Sequence, residues 1–179
     1  VRSNLNDFWK IAEETAEKYG NTMDRNEWRL VIPAHLADTR EEAIEQVRFG
    51  AGRYQRDYFE DTMGFPVTHD GPADEIVDVM VERGAWTVGT PDDLVAKIRQ
   101  LDEESGGFGG LLISANEWAT REQVMRSYEL LARYVMPHFQ GSIDSLNASQ
   151  AWAAAKRREL EALRAQAVQK ATEAYPGSR

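Results

Sequence analysis

Two apolar runs of the sequence end in side chains that can do chemistry. RLVIPAHL, residues 29–36, ends next to His35, and GGFGGLLISANEW, residues 106–118, ends with Ser114, Asn116 and Trp118. An imidazole titrates near neutral pH, and hydroxyl, amide and indole groups form hydrogen bonds with ligands. If both runs are strands, these four side chains lie at or just after the ends of the strands.

The elements that position these residues alternate between strands and helices. Nearly continuous apolar residues predict buried strands over 29–36 and 110–114, and residues 85–89 predict a weak third strand. Pro33 lacks an amide proton, so we expect a bulge or a special position there. Helical spacing predicts helices over 5–19, 40–58, 75–84, 90–101 and 120–135, and a long tail helix over 150–171. Such alternation is typical of parallel β/α units.

Two of these helices have apolar stripes that predict their buried faces. The first stripe consists of Leu5, Phe8, Ala12, Ala16 and Tyr19, and the second of Ala43, Val47, Ala51, Tyr54 and Tyr58. Capping boxes are predicted at Thr39 with Glu42 and at Thr120 with Gln123.

Several further residues have both a functional and a structural interpretation. The loop over 61–74, which contains Phe65 and Pro66, is a candidate lid, whereas His69 is expected to be an exposed loop residue and His138 is given no role. Gly89, Thr90 and Pro91 resemble a phosphate cradle, but Asp92 and Asp93 follow and would repel an anion, so capping is favoured. Trp86 is expected in the core, and KRRELEALR in the tail is expected to be a solvated face or an oligomer contact.

Composition excludes several classes of function. The 179 residues carry a net charge of -9, which disfavours binding to nucleic acid. The chain has no cysteine and three scattered histidines, so no metal site is predicted. No apolar run is long enough to span a membrane, and we expect a cytoplasmic protein.

The predicted sheet is incomplete by itself. Parallel sheets bury both faces, and the helices of this chain can cover one. A dimer partner or the tail helix could cover the other face, or strands from elsewhere could close the sheet into a barrel.

Three segments resemble the luciferase-like flavin monooxygenases, in particular the limonene and alkanal monooxygenase branch. They are DRNEWRLVIPAHLADTREEA, GTPDDLVAKIRQLDEESGGFGGLLISANEWA and SYELLARYVMPHFQG. The resemblance implies an α/β fold that is the C-terminal part of a TIM (β/α)8 barrel, with about three β/α units and an insertion loop over residues 1–142 and a helical tail over 143–179. It implies reduced FMN and O2 as cofactors, without a metal, and a small apolar substrate.

The same resemblance implies partners and a site. The partners are the N-terminal part of the barrel, a flavin reductase that supplies reduced FMN, and further copies of the chain in a homo-oligomer. Barrel active sites lie at the carboxyl ends of the strands, so His35, Ser114, Asn116 and Trp118 are predicted to face flavin or substrate, with no catalytic residue assigned. The missing strands would supply most flavin contacts, so activity is expected of the complete barrel. A deazaflavin-dependent oxidoreductase of the same superfamily and a non-catalytic α/β binding or assembly module remain alternatives.

Overall fold

A three-stranded parallel sheet lies at the centre of the first part of the chain. The computed structural model describes residues 5–175 and divides the chain into two units, one ending at Met136 and one beginning at Pro137. The strands are β1 (Arg29–Leu36), β2 (Thr87–Gly89) and β3 (Gly110–Ser114), in the spatial order β2-β1-β3. The helices of the first unit are α1 (Leu5–Lys18), α2 (Arg40–Arg53), α3 (Ile76–Glu82), α4 (Pro91–Ser105) and α5 (Arg121–Leu130).

Pairing of β1 is staggered along its length. Residues 29–33 pair with β3, whereas residues 34–36 pair with β2. Pro33 is the last residue that pairs with β3, and the register runs through it without a bulge. Proline is tolerated here because β2 pairs only with residues 34–36. On that edge of β1, residue 33 has no neighbouring strand that requires an amide donor.

The strand order differs from the one that three consecutive barrel units would give. Such units place each strand beside the next along the chain, so β2 would lie between β1 and β3. The structure instead places β1 in the middle. The expectation of three successive barrel strands is therefore wrong for β2, a three-residue strand beside the upper half of β1. The α/β class with a small parallel sheet is confirmed.

Side-chain caps begin the helices where the sequence predicted them. Thr120 accepts from the amide of Gln123, and the Gln123 side chain accepts from the amide of Thr120. At α2 only half of the predicted box forms, because Thr39 accepts from the Glu42 amide while the Glu42 side chain binds elsewhere.

Two hydrophobic clusters pack against the sheet. The first joins the sheet to α4, α5 and the π-helical turn Leu131–Val135; its buried members are Leu30, Ile32, Leu36, Leu94, Val95, Ile98, Leu101, Leu130 and Val135. The second joins α2 and α3 to β2 and to residues that follow β1 and β3; its buried members are Ala37, Ala43, Val47, Ala51, Ile76, Val77, Trp86, Val88 and Trp118. Trp86 is thus a core residue, as predicted.

One face of the β1–β3 pair is bare at its lower end. Leu30 and Ile32 are buried, but the alternating residue Val31 is 61% exposed, and its partner in the register, Leu112, is 52% exposed. Side chains alternate between the faces of a strand, so these two residues share the face opposite the first cluster. The sheet therefore exposes an apolar face, called the bare wall below, at Val31 and Leu112, and it leaves residues 29–33 of β1 unpaired on one edge. Such exposure was expected of a sheet that is incomplete by itself.

Two predicted apolar stripes are corrected by the structure. On α1 the buried residue is Trp9, while Phe8 and Tyr19 are 62% and 72% exposed. Beyond α2 the chain continues as a π-helix, Tyr54–Thr62, instead of further α-helix. The wider turn rotates Tyr54 and Tyr58 outward, because a π-helix has more residues per turn than the spacing on which the stripe was predicted.

The glycines before β3 allow a tight return from α4. Gly106 ends α4 in the left-handed conformation with φ of 74°. A side chain on Gly109 would overlap the backbone carbonyl of Asn26. Arg25 stabilises the same corner, because its guanidinium donates to the Ser105 carbonyl and lies 4.7 Å from the ring centroid of Trp9.

The second unit consists mainly of α6 (Asp144–Ala174), a helix of 31 residues. None of its described side chains is buried, and its apolar residues Leu146, Trp152, Leu163 and Val168 are more than half exposed. Across residues 5–175, no helix combines the length and the apolar character needed to cross a membrane.

Candidate functional site

Helix α2 contacts β1, β2 and the loop that follows β3. Its Gln46 bonds His35 near the end of β1, and its buried face packs with Val88 of β2 and with Trp118, which follows β3. Gly50 permits the last approach, because a side chain there would overlap the Trp118 carbonyl. The helix therefore covers the edge at which ligands of parallel α/β sheets bind.

His35 is held under α2 by a chain of two hydrogen bonds. Its Nε2 lies 2.8 Å from Oε1 of Gln46, and the Gln46 amide nitrogen donates to Oε1 of Glu42 at 2.8 Å. The imidazole is 4% exposed. Burial lowers the pKa of His35 below its ordinary value of 6.5, and the hydrogen bond to Gln46 offsets this only in part. His35 is therefore neutral at neutral pH.

Ser127 of α5 fixes the end of β1 next to His35. Its buried hydroxyl accepts a hydrogen bond of 2.8 Å from the backbone amide of Leu36. This bond replaces the ladder partner that β3 no longer provides beyond Ser114. Strand β1 is thus held from two sides where His35 emerges.

Trp118 is buried rather than open to solvent. It is 5% exposed, and its ring lies 4.5 Å, centroid to centroid, from that of Trp86. Its indole Nε1 is buried without a hydrogen-bond acceptor in the part of the chain that the structure describes. A buried N–H without an acceptor costs about 1–3 kcal/mol, so this donor is a candidate contact for a ligand oxygen.

Ser114 and Asn116 lie at the same edge, both half-buried. Ser114 is the last residue of β3 and pairs in register with Pro33. Asn116 follows in the loop between β3 and α5. The structure thus places all four predicted residues at or beyond the carboxyl ends of β1 and β3. Of these four, α2 contacts His35 through Gln46 and Trp118 through Gly50.

The N-terminus of α4 is closed to a phosphate group. Both the amide and the hydroxyl of Thr90 bond Oδ2 of Asp93, at 2.8 and 3.0 Å. Arg40 also pairs with Asp93. Burial raises the pKa of Asp93, but the bonds from Arg40 and Thr90 outweigh it and lower the pKa overall. The carboxylate is charged and occupies the position of an anion, so capping is the role of this turn.

The loop over 63–72 is bound to the π-helix. The Glu60 carboxylate accepts from the Thr68 amide at 2.9 Å, and Gln55 donates to the Thr68 hydroxyl. Arg56 donates to the carbonyls of His69 and Gly71. His69 itself lies 2.8 Å from Oε2 of Glu75, and Phe65 is 51% exposed. These bonds fix the middle of the candidate lid.

Within residues 5–175, no three histidine or acidic side chains lie close enough together to hold a metal ion. The chemistry available at the carboxyl edge is therefore that of a neutral imidazole, an unpaired indole N–H, an amide and apolar surface.

The chain is similar in sequence to known monooxygenases. The chain is 37% identical over 155 residues to 4-hydroxyprotoasukamycin monooxygenase of Streptomyces nodosus subsp. asukaensis, which covers 86% of the chain and 42% of that protein. It is 41% identical over 140 residues to limonene 1,2-monooxygenase of Rhodococcus erythropolis, which covers 78% of the chain and 35% of that protein. No family model matches the chain.

The chain is a homologue of the luciferase-like monooxygenases. Its fold agrees with this relationship. The oxygenating constituent of 3,6-diketocamphane monooxygenase of Pseudomonas putida, a type II Baeyer-Villiger monooxygenase solved in complex with FMN, matches with a TM-score of 0.55. The match covers 74% of the chain and 39% of that structure at 24% identity.

The chain spans about two fifths of the length of these monooxygenases.

Some residues of this luciferase-like site were missed by sequence reasoning. Gln46 and Glu42 lie four apart on a helix, and this spacing alone predicts that they interact. Nothing local places Gln46 against His35, because that contact depends on how α2 crosses the end of β1. Ser127 has no local signal either, since its hydroxyl serves an amide 91 residues away.

Proposed function

We propose that this chain is the carboxyl-terminal part of a flavin-dependent monooxygenase that uses reduced FMN and O2 to oxygenate a small apolar substrate. The homology to two monooxygenases at 37% and 41% identity carries the proposal. The position of the predicted side chains at the carboxyl ends of the strands supports it. One relative acts on limonene by its name, which favours a terpene-like substrate.

The barrel is part of this proposal. Strands β1 and β3 are neighbours and parallel, as consecutive barrel strands must be. Preceding strands of a complete barrel would pair with the free edge of residues 29–33 and cover Val31 and Leu112. On this proposal, residues 1–142 are barrel units with an insertion and residues 143–179 are a helical tail.

The described residues fit one part of FMN but not its phosphate. The unpaired indole N–H of Trp118 suits a ligand carbonyl oxygen, and His35 and Asn116 lie at the same edge. By contrast, the turn at Thr90 is occupied by Asp93, which would repel a phosphate. The phosphate would therefore be held by strands outside this chain, and the chain alone is expected to bind FMN weakly.

The residues of this chain would exclude water and orient the ligands. When bound, reduced flavin supplies the electrons that activate dioxygen. Helix α2 and the ring contact between Trp86 and Trp118 provide apolar surface beside the carboxyl edge, which would limit entry of water. The neutral His35 can accept a hydrogen bond there. A separate reductase would supply reduced FMN, and the tail is available for contacts between copies.

A labelling experiment on a protein of the relatives' length tests the reaction. The protein, reduced FMN and limonene are mixed anaerobically and then exposed to 18O2, and the products are examined by mass spectrometry. We expect one labelled atom in the terpene and the other in water, because the two reducing equivalents reduce one oxygen atom.

Two further measurements make this experiment decisive. His69→Gln alters a partly exposed loop residue that is not one of the four predicted site residues, and it is expected to retain product formation. If no substrate of a panel of terpenes and aldehydes gains label while FMN binds and is reoxidised, the proposed monooxygenase function is wrong.

A further inference from the structure

The carboxylate of Glu42 determines how the Gln46 amide is turned. A charged carboxylate only accepts hydrogen bonds, so the group that faces it at 2.8 Å must be the NH2 of Gln46. The Gln46 carbonyl oxygen then points the other way, toward Nε2 of His35 at 2.8 Å.

The orientation of the amide in turn determines where His35 carries its proton. A carbonyl oxygen only accepts, so Nε2 of His35 must be the protonated nitrogen. Burial disfavours a second proton on the ring. Within residues 5–175 the ring makes its hydrogen bond through Nε2, so Nδ1 remains an unprotonated acceptor.

We propose that Glu42 and Gln46 are positioning residues that hold His35 as the neutral tautomer protonated at Nε2, with Nδ1 offered to the N–H or O–H group of a ligand at the carboxyl edge of the sheet. The tautomer follows from contacts within this chain. The part played by the ligand rests on the proposed function.

Two ion pairs lie near the end of β1. Asp38, in the loop after β1, pairs with Arg126 of α5, and Asp93 of α4 pairs with Arg40 of α2. Glu42 is the charged group connected to His35, and it acts through the neutral amide of Gln46. Replacing that amide by a carboxylate should therefore change the protonation of His35 directly.

Histidine-selective 15N NMR of the full chain measures the tautomer. The signals of His35 are identified by their loss in His35→Gln, since only His69 and His138 otherwise contribute. At neutral pH we expect a protonated Nε2 and an unprotonated Nδ1. A protonated Nδ1, or a ring protonated at both nitrogens, would overturn the proposal.

Variants at position 46 test whether the hydrogen bonds from Glu42 through Gln46 to His35, called the relay below, determine the tautomer of His35. Gln46→Glu keeps the shape and brings a negative charge to Nε2, so the pKa of His35 should rise by about 1–2 units. Gln46→Leu removes the acceptor, so the ring should exchange between both neutral tautomers. An unchanged His35 spectrum in both variants would show that Gln46 does not position the ring.

A matched control separates this effect from loss of a helical side-chain pair. Gln169 of α6 donates to Glu173, four residues after it, whereas Gln46 donates to Glu42, four residues before it. Within residues 5–175, no histidine bonds Gln169. Gln169→Leu should leave the His35 signals unchanged. A shift of these signals in Gln169→Leu as large as that in Gln46→Leu would overturn the assignment of the relay.

Activity of the complete enzyme tests whether Nδ1 of His35 binds a ligand, separately from whether Gln46 determines the tautomer. The acid limb of the kcat/KM profile should move to higher pH in Gln46→Glu, because His35 must be neutral to accept at Nδ1. If the tautomer is as expected but this limb does not move, the ligand role is wrong and the tautomer stands. If the enzyme oxygenates no substrate, the proposed function fails and the NMR measurements still decide the tautomer.

Discussion

At the scale of single residues, the unpaired indole N–H of Trp118 is expected to weaken the ligand-free protein. Trp118→Phe removes this donor while keeping most of the ring against Trp86. Relief of the buried N–H, about 1–3 kcal/mol, should offset much of the packing lost with the smaller ring, so the free energy of unfolding should change by less than about 1 kcal/mol. Urea unfolding followed by circular dichroism measures this change.

The matched control for this variant is Trp86→Phe. Trp86 is equally buried, but its indole nitrogen is not among the unpaired buried atoms of the described chain. Trp86→Phe should therefore lose packing without removing an unpaired buried N–H, and it should be less stable than Trp118→Phe. A larger loss of stability in Trp118→Phe than in Trp86→Phe would show that the Trp118 N–H is satisfied in the protein.

His35 should make stability depend on pH as the pH falls below the ordinary pKa of 6.5 of its side chain. Burial lowers its pKa in the folded chain, so the unfolded chain binds a proton at a higher pH than the folded one. The contribution of neutral His35 is complete above its ordinary pKa of 6.5 and is lost as the pH falls toward the folded value. We therefore expect the free energy of unfolding to rise with pH across this range, and to rise less in His35→Gln.

Wild type and His35→Gln are compared by urea unfolding at several pH values. All other titrating groups are shared, so the difference between the two curves isolates His35. His69→Gln provides the control, because that residue is partly exposed and in the loop. Parallel curves for wild type and His35→Gln would contradict a lowered pKa.

The predicted strands, with the resemblance to a barrel of parallel strands, were enough to predict that His35 ends β1 and that Ser114, Asn116 and Trp118 end or follow β3. They were not enough to show which of these side chains is enclosed. Burial of Trp118 depends on Gly50 of α2 passing its backbone, and no local pattern contains that contact.

At the scale of elements, the π-helix Tyr54–Thr62 binds the loop that follows it, and its own sequence does not predict this. Its wider turn brings Gln55 and Glu60, five residues apart, to the same buried side. Both then bond Thr68 in the loop. Capping boxes were predictable from four adjacent residues, whereas this turn depends on a loop that follows it, so an α-helical stripe was the wrong expectation.

Glu60 is expected to hold the candidate lid in place. Its buried carboxylate lies 3.1 Å from Nε of Arg56, at an angle that makes the contact an ion pair rather than a hydrogen bond. Glu60→Gln keeps an acceptor for the Thr68 amide but leaves the Arg56 charge without its partner. We expect a loss of about 2–4 kcal/mol and faster amide hydrogen exchange over residues 63–72.

An exposed pair on the same helix provides the comparison. Arg53 and Asp57 are also four residues apart, but both side chains are about half exposed. Asp57→Asn should cost less than about 0.5 kcal/mol and leave exchange in the loop unchanged. Equal effects of Glu60→Gln and Asp57→Asn would show that burial of the pair is irrelevant to the loop.

At the scale of the whole molecule, strand order limits what sequence can predict. Alternating elements correctly indicated a parallel sheet, since each strand-helix unit buries one helix face on its neighbours. The position of β2 beside the upper half of β1 was not predictable, because it depends on the long insertion between them and not on β2 itself. The prediction that the sheet is incomplete by itself needed only the number of apolar faces and not the order of the strands.

The bare wall of the β1–β3 pair gives the most direct test of the missing strands. If Val31 and Leu112 face solvent in this chain, Val31→Thr with Leu112→Thr should cost less than about 1 kcal/mol and should reduce self-association and binding of a hydrophobic dye. In a protein of the relatives' length, the same changes would bury two hydroxyl groups. There we expect a loss of about 2–5 kcal/mol, measured by urea unfolding. Leu30→Thr is the control that must be costly in both proteins, because Leu30 is 8% exposed here. Equal, small costs of the double variant in both proteins would mean that no strands cover this face, and the barrel would then have to be abandoned.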